Sequence, residues 1–222
     1  MKVCTDACIF GAWVAENVAG CKLPVVNCLD IGSGTGLLSL MFAQKNSNSI
    51  IDSVEIEVNA INQAKENFSN SPWKKRLFIF NADIKNFISD KKYDLIICNP
   101  PFFENDLKSI LQNKNIAKHD EGLTLKELIQ VIKNNLSATG YFAILLPYHR
   151  IKYFEELAEK NDLFLKDKLL VRQTPTHHFF RGILFFSHTP STATIKKLTI
   201  KDKEGKYTEP FTRLLKDYYL KL

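Results

Sequence analysis

The sequence contains few cysteines and no pattern that would pair them. Its five cysteines, at positions 4, 8, 21, 28 and 98, include no Cys-x-x-Cys pair. An odd number of cysteines without a secretion signal is typical of reduced thiols in the cytoplasm. The adjacent histidines at positions 177 and 178 have no third ligand nearby in the sequence. We therefore expect a protein without a metal site.

Membrane-spanning and targeting segments are also lacking. No apolar run reaches the length of a transmembrane helix. Residues 1–6 lack the signal-peptide pattern, and Asp6 is incompatible with it. Repeats, low-complexity tracts and linkers are absent as well. These absences favour a cytoplasmic protein with one domain over residues 1–222, and we expect a monomer although no feature fixes the oligomeric state.

The positive charge is unevenly distributed. The net charge is +6, yet residues 1–145 contain 15 basic and 15 acidic side chains. The whole surplus lies in residues 146–222, with 15 basic against 9 acidic side chains. A basic face there favours a polyanionic partner such as RNA, although a compositional bias towards solvated lysines is the simpler alternative.

The most informative motif is Asn99-Pro100-Pro101-Phe102, which follows an apolar run at residues 93–98. Prolines cannot donate to a strand ladder, so the predicted strand stops there. The Asn99 side-chain oxygen and the Pro100 carbonyl could each accept one N–H of an exocyclic amine, while Phe102 stacks on its ring. The motif thus indicates a site that holds a planar amine, unless the loop merely ends the strand.

A glycine-rich turn follows another apolar strand. Gly32, Gly34 and Gly36 are spaced Gly-x-Gly-x-Gly, Asp30 precedes them, and a helical pattern follows. Dinucleotide-binding loops are spaced Gly-x-Gly-x-x-Gly instead, which makes a nicotinamide oxidoreductase the weakest alternative. A carboxylate beside the loop would repel a pyrophosphate and attract an ammonium or sulfonium group.

Two further strands end in acidic residues. Glu55 lies about 20 positions after the glycines, where a carboxylate can bind a ribose diol, with Glu57 as the fallback. Asp83 ends the next strand and is placed to accept a hydrogen bond from an adenine amino group. Each acid alone could be a solvated surface group, but their order along the chain is harder to obtain by chance.

Strands alternate with amphipathic helices, a pattern that predicts an α/β fold with a mostly parallel sheet covered on both faces. Helices are expected at residues 59–68, 124–136 and 151–160, and a terminal helix capped by Thr208. Residues 163–171 and 179–187 are joined by too short a connection for a parallel pair, so they are expected to be antiparallel. Residues 195–200 are compatible with an edge strand, and residues 105–122 with a loop over the site or an inert surface loop.

Taken together, the chain resembles the class I S-adenosylmethionine-dependent methyltransferases with an Asn-Pro-Pro-Phe/Tyr motif, and more narrowly the bacterial tRNA1(Val) (adenine-37-N6)-methyltransferases. The matching segments are residues 1–7, 11–13, 29–38, 54–57, 70–73, 82–84, 99–102, 207–209 and 218–220. Family members usually carry an extra short stretch before residue 1. Either that stretch has been lost, which would weaken tRNA capture or cofactor enclosure, or the start codon has been placed too late.

The resemblance implies a Rossmann-like, seven-stranded sheet whose last strand is antiparallel. It implies N6-methylation of an adenosine in tRNA, with S-adenosylmethionine as the methyl donor. Asn99, Pro100 and Phe102 would be catalytic. The cofactor would be bound by Thr5, Asp6, Asp30, Gly32, Gly34, Gly36, Glu55, Asp83 and Asn99, and the RNA by Phe102, Arg172, Arg181, Lys196 and Lys197.

Three other functions fit the same motifs. A protein glutamine N5-methyltransferase would present the same NH2 group to Asn99. N6-methylation of an adenine in another RNA or in DNA is a second alternative. A catalytically idle module that binds S-adenosylmethionine or RNA is a third, although it would have no need for Asn99 and Phe102.

Overall fold

The computed structural model describes residues 4–20, 27–100 and 123–221. The helices are α1 (Thr5–Gly20), α2 (Leu37–Lys45), α3 (Val58–Ser69), α4 (Leu125–Asn135), α5 (Ile151–Glu159) and α6 (Glu209–Leu215). The strands are β1 (Asn27–Ile31), β2 (Ile50–Glu55), β3 (Leu77–Asn81), β4 (Tyr93–Cys98), β5 (Leu136–Pro147), β6 (Phe164–Arg172), β7 (Phe179–Ser187) and β8 (Thr194–Thr199). Short 3-10 turns lie at Lys74–Arg76, Ile84–Asn86 and Tyr148–Arg150.

The strands form one sheet in the order β3-β2-β1-β4-β5-β7-β6-β8. Strands β1 to β5 pair in parallel, and β7 runs antiparallel to both β5 and β6. The α/β prediction and the antiparallel pair are confirmed. The strand count is corrected from seven to eight, because β8 adds to the edge of β6, and this last strand runs parallel to its neighbour.

Hydrophobic residues cover both faces of the sheet. On one face, residues of α1, α2, α3 and α6 form a continuous core with alternate strand residues such as Leu95 and Ile97. On the other, α4 and α5 pack on the intervening positions, such as Ile96 and Cys98. This alternation follows from the two-residue period of a strand. No helix in the described ranges is long and apolar enough to cross a bilayer.

The helix caps that the sequence predicts are confirmed. Thr124 and Glu127 form a capping box at α4, and Thr208 caps α6, which has Pro210 in its first turn. Helix α1 was not predicted. Its residues are apolar on nearly every side, and Ile9, Phe10 and Ala12 are fully buried. A helix buried all round shows no amphipathic stripe, so periodicity cannot reveal it.

The segment after α6 packs on the N-terminal half of the chain. The Tyr218 hydroxyl donates to the Met41 carbonyl at 3.3 Å, and Lys45 forms an ion pair with Asp217. Tyr207 stacks on the buried Phe211, with ring centroids 4.7 Å apart. Tyr218 and Tyr219 therefore pack against the core that contains α1 and α2, whereas Tyr207 and Leu220 are exposed.

We expect Gly36→Ala to lower the free energy of unfolding more than Gly32→Ala. Both glycines have positive φ, +82° and +67°, so each replacement carries the left-handed strain of roughly 1–2 kcal/mol. Only at residue 36 would the new Cβ also collide with the core, 2.3 Å from Cε1 of the buried Phe68. Urea unfolding of the two variants tests this expectation. An equal decrease in the free energy of unfolding would show that the Phe68 side chain moves aside without destabilising the core.

Candidate active site

The predicted site residues that follow or end β1, β2, β3 and β4 and that the structure describes lie at one edge of the sheet. In a parallel sheet the carboxyl ends of the strands meet at one edge, which we call the carboxyl edge. The strand order reverses between β1 and β4, which pair directly and place Ile31 opposite Cys98. Ligands of open α/β sheets bind outside the carboxyl ends at such a reversal. The glycine loop after β1 and Asn99 after β4 flank this position.

The glycine loop is fixed by the carboxylate of Glu55 at the end of β2. Glu55 Oε2 accepts a hydrogen bond from the Gly34 N–H at 2.8 Å, and Oε1 accepts from the N–H groups of Ile56 and Glu57. Three bonds leave lone-pair capacity on this carboxylate for a further donor. At Gly32, an added Cβ would have no atom of the described residues within 4 Å, apart from the glycine and its two chain neighbours. The loop therefore presents an open side where a ligand can approach its backbone closely.

Glu57 has a different task. Its carboxylate caps α3 by accepting from the N–H groups of Asn59 at 2.9 Å and Ala60 at 2.7 Å. These two hydrogen bonds hold the pKa of Glu57 below its usual range, and the bond from the Asn59 N–H has the larger effect. Glu55 faces the glycine loop and Glu57 is occupied by the helix, a distinction that the sequence alone left open.

Asp30 is fully buried beneath the loop. Its Oδ2 accepts from the Ser39 hydroxyl at 2.6 Å, and Ser39 lies 2.8 Å from the Ser53 hydroxyl. Burial raises the pKa of Asp30 to about 7, against the lowering effect of the Ser39 bonds, and the charge of Glu55 adds to the rise. Its Oδ1 is buried and has no hydrogen-bond partner among the described residues. A buried acceptor of this kind suits a cationic donor from a ligand.

Asn99 offers a second unsatisfied acceptor. Its Oδ1 is buried and, within the part of the chain that the structure describes, accepts no hydrogen bond. Pro100 is buried beside it, and Phe102 lies outside the described residues, as does the loop predicted at 105–122. The register of β1 with β4 places Asn99 level with Gly32. The two acceptors predicted to face a ligand thus lie on paired strands, with Asp30 near the end of β1 and Asn99 directly after β4.

Asp83 follows β3 at the same edge. Its Oδ1 accepts from the Lys85 N–H at 2.9 Å and so caps the turn Ile84–Asn86. Its Oδ2 lies 3.8 Å from Lys85 Nζ. The cap fixes the direction of the carboxylate, and about 30% of the side chain stays exposed.

Asp6, predicted to bind the cofactor, and Arg181, predicted to bind RNA, form an ion pair with each other. Arg181 Nε, at the start of β7, donates to Asp6 Oδ2 in the first turn of α1 at 2.8 Å. The pair fastens the start of α1 to the carboxyl edge. Thr5, the first residue of α1, lies beside Tyr219 of the C-terminal segment. For Thr5, Asp6 and Arg181 the structure thus shows contacts within the protein.

The remaining predicted RNA contacts separate into two groups. Arg172 Cζ lies 5.7 Å and Lys197 Nζ 6.0 Å from the centroid of the Phe179 ring, so these two cations are neighbours. Lys196 shares its face of β8 with Leu198, which is buried in the core of α1 and α2. The two lysines therefore point to opposite sides of the edge strand.

Sequence reasoning missed several residues of this edge. Ser39 and Ser53 support Asp30, and a serine inside an otherwise apolar helix was the available signal. Tyr148 and Phe179, whose ring centroids are 5.8 Å apart, were missed because they lie far apart in the sequence. Among the described residues, no group of three or more His, Cys, Asp or Glu side chains could hold a metal ion.

The strand order and the glycine loop define a class I methyltransferase fold. A predicted O-methyltransferase from Agrobacterium tumefaciens superposes with a TM-score of 0.70 at 13% identity over 95% of both chains. A putative class I S-adenosylmethionine-dependent methyltransferase from Listeria monocytogenes gives 0.65 at 13% identity, over 86% of this chain and 64% of that one. These likenesses establish the fold.

Sequence similarity narrows the class to a family. Residues 22–161 match the methyltransferase small domain family. A Dyadobacter fermentans protein is 40% identical over 100% of this chain and 91% of its own length, and a Pseudoalteromonas translucida protein is 37% identical over 100% and 93%. Both are named tRNA1(Val) (adenine(37)-N6)-methyltransferase. The chain belongs to the methyltransferase small domain family and, within it, to the family of these proteins.

The buried carboxyl of Asp30 predicts a pH-dependent stability. Because its pKa is higher in the folded than in the unfolded protein, the folded state holds the proton more tightly, and stability is lost as the pH rises towards 7. The free energy of unfolding of the wild type, relative to Asp30→Asn, should fall by roughly 2–3 kcal/mol between pH 5 and pH 8. Urea titrations at several pH values measure the difference, and a constant difference would contradict the raised pKa.

Proposed function

We propose that this protein transfers a methyl group from S-adenosylmethionine to N6 of adenine 37 in the anticodon loop of tRNA1(Val). The observation that carries the proposal is the buried Asn99 Oδ1 at the strand-order reversal, an acceptor suited to an amino group that has no hydrogen-bond partner among the described residues. Full-length similarity to proteins named for this reaction, at 36–40% identity, supports the choice of substrate. Residues 1–222 act as one methyltransferase domain.

The geometry of the loop fits S-adenosylmethionine. When bound, this donor supplies an electrophilic methyl group on a sulfonium. The Asp30 acceptor lies where a cationic amino acid moiety can bind, and Glu55 has capacity for a ribose hydroxyl. Asp83 is placed to accept from the adenine amino group, and Gly32 leaves the backbone of the loop open to close approach by the ligand. Thr5 and Asp6, at the start of α1 near the same edge, also belong to the proposed cofactor site.

Asn99 and Pro100 activate the substrate amine. The lone pair of an adenine amino group is delocalised into the ring, which makes the nitrogen a poor nucleophile. If the Asn99 side-chain oxygen accepts one N–H and the Pro100 carbonyl the other, the nitrogen becomes more pyramidal and its lone pair more localised. Phe102 stacks on the ring and fixes its direction. Orientation of this kind can supply up to roughly 7–11 kcal/mol, and the proton leaves to water after the attack.

The basic part of the chain, residues 146–222, faces the RNA. Its surplus positive charge binds phosphates, with Arg172 and Lys197 at the carboxyl edge and Arg181 and Lys196 near it. A base in a loop is already partly unstacked, so moving it into the site costs less than in a duplex. With a tRNA substrate we expect the enzyme to act in the cytoplasm, as a monomer.

Glu55→Ala should weaken the binding of S-adenosylhomocysteine by roughly 10- to 100-fold, the loss of a charge-assisted bond worth about 1.5–3 kcal/mol. The variant also releases the Gly34 N–H and loosens the loop. Glu57→Ala is the matched control, since that neighbouring carboxylate caps α3. Calorimetry should show near wild-type affinity for Glu57→Ala. Equal losses in both variants would contradict the assignment of the ribose site to Glu55.

The substrate is tested by methyl transfer to tRNA. Cells that lack the gene should lose N6-methyladenosine at position 37 of tRNA1(Val), measured by mass spectrometry of digested tRNA. Re-expression of the wild type should restore the modification. Asn99→Ala should fail to restore it while the purified variant still binds S-adenosylhomocysteine, because Asn99 contacts the amine.

Two results would change the proposal. Restoration by Asn99→Ala would refute the activation of the amine by this side chain. Unchanged tRNA together with a lost methyl group on a protein glutamine would assign the site to glutamine N5-methylation, which presents the same NH2 group to Asn99.

A further inference from the structure

An exposed aromatic pair lies on the carboxyl edge, outside the site described above. Tyr148 follows β5 and Phe179 begins β7, and their rings are 5.8 Å apart and inclined by 36°. About 46% of Tyr148 is exposed, and Phe179 is half-buried. Water therefore reaches one side of an aromatic surface whose other side is supported by the protein. An exposed aromatic surface of this kind is suited to a planar ligand.

An irregularity in the sheet places Phe179 in the pair. Val171 of β6 pairs with Arg181, but the next residue, Arg172, pairs with Phe179, so β7 has one extra residue, Phe180. With a regular register Phe179 would share the face of Ile183, which is covered by α1 and α2. The bulge turns it towards Arg172 instead. Bulges that redirect a side chain are common beside active sites.

Close packing of α5 places Tyr148. A Cβ on Gly182 of β7 would lie 2.2 Å from Ile151 Cδ1, so only glycine lets the start of α5 come so near to β7. Tyr148 belongs to the short turn that leads into α5 and is held beside Phe179 by this approach.

Two cations flank the same ring. Arg172 and Lys197 lie within about 6 Å of the Phe179 centroid, the range of a cation–π contact. Arg172 is fixed in place, because its Nε donates to Thr199 Oγ1 at 2.8 Å and its Nη1 to the Pro175 carbonyl at 3.1 Å. In the described part of the chain, no ion pair joins either cation to a carboxylate. The aromatic pair thus has uncompensated positive charge beside it.

The aromatic pair lies close enough to Asn99 for one RNA strand to contact both. Strand β7 is two strands from β4 in the sheet, which corresponds to about 10 Å at ~4.8 Å per strand. That distance equals roughly three stacked nucleotides at ~3.4 Å each. An RNA strand with its target base at Asn99 can therefore reach the aromatic pair within the same loop.

We propose that Tyr148 and Phe179, with Arg172 and Lys197 beside them, form a stacking platform for an unpaired base a few nucleotides from the target adenosine. The platform binds the base by its aromatic face and the adjoining phosphates by the two cations. Stacking is tolerant of base identity, so the platform fixes the register of the loop on the enzyme. The inference rests on the proposed tRNA substrate.

Tyr148→Ala and Phe179→Ala test the platform in the full-length protein. Each should weaken tRNA binding about 5- to 100-fold and raise KM for tRNA, with kcat at saturating tRNA changed little. Tyr148→Phe should retain the affinity, because the ring is kept. S-adenosylhomocysteine binding, measured by calorimetry, should stay at the wild-type value in all three variants and shows that they fold.

Two controls separate the platform from general surface effects. Phe78→Ala removes another exposed aromatic residue from β3, at the opposite edge of the sheet, and should leave tRNA affinity unchanged. Lys197→Ala should reduce the slope of log affinity against log salt by nearly one unit, and Lys196→Ala, on the other face of β8, by less.

The outcomes are distinct. Wild-type affinity for tRNA in both Tyr148→Ala and Phe179→Ala, in a protein that methylates tRNA, would refute the platform and leave the proposed function in place. A wild-type protein that does not methylate tRNA would refute the proposed function and the platform together.

Discussion

The parallel pairing of β1 with β4 is the constraint on which the site depends. These strands are separated in the chain by β2 and β3, and they meet because the strand order reverses between them. The pairing makes the glycine loop and Asn99 neighbours although 62 residues lie between Gly36 and Asn99. A one-residue slip would turn every side chain of β4 to the other face and bury Asn99 in a helix layer.

That register is itself held by the burial of both strands. Residues of β1 and β4 alternate between the two cores, and nearly all are fully buried. Because β1 and β4 are held firmly by this burial, the sheet can tolerate buried polar groups near the glycine loop that lack hydrogen bonds within the described residues. Among the described residues, Oδ1 of Asp30 and Oδ1 of Asn99 have no hydrogen-bond partner, and the cost of such buried acceptors is tolerated in proteins where a ligand provides the missing donors.

Much of the fold was predictable because its signals are local. The apolar runs, the caps at Thr124 and Thr208, and the short connection between β6 and β7 are each visible within a few residues. The helix α1 was not predictable from periodicity, since it is buried on all sides. The motif order predicted the edge where the site lies. The choice between Glu55 and Glu57 required the three-dimensional structure, because both carboxylates lie at or just after the end of β2. Only their hydrogen bonds distinguish them. The pairing of Asp6 with Arg181 and the bulge at Phe180 depend on contacts across the whole chain, which no local pattern records.

If a ligand binds to the buried carboxyl of Asp30 through a cationic group, its binding is coupled to proton release. With a pKa near 7, about half of the unliganded molecules carry a neutral Asp30 at that pH. A cationic group that binds to Oδ1 of Asp30 favours the carboxylate and expels the proton from the protonated half. The heat of binding then includes the ionisation of the buffer that takes up this fraction of a proton, so two buffers at one pH give different apparent enthalpies for the same complex.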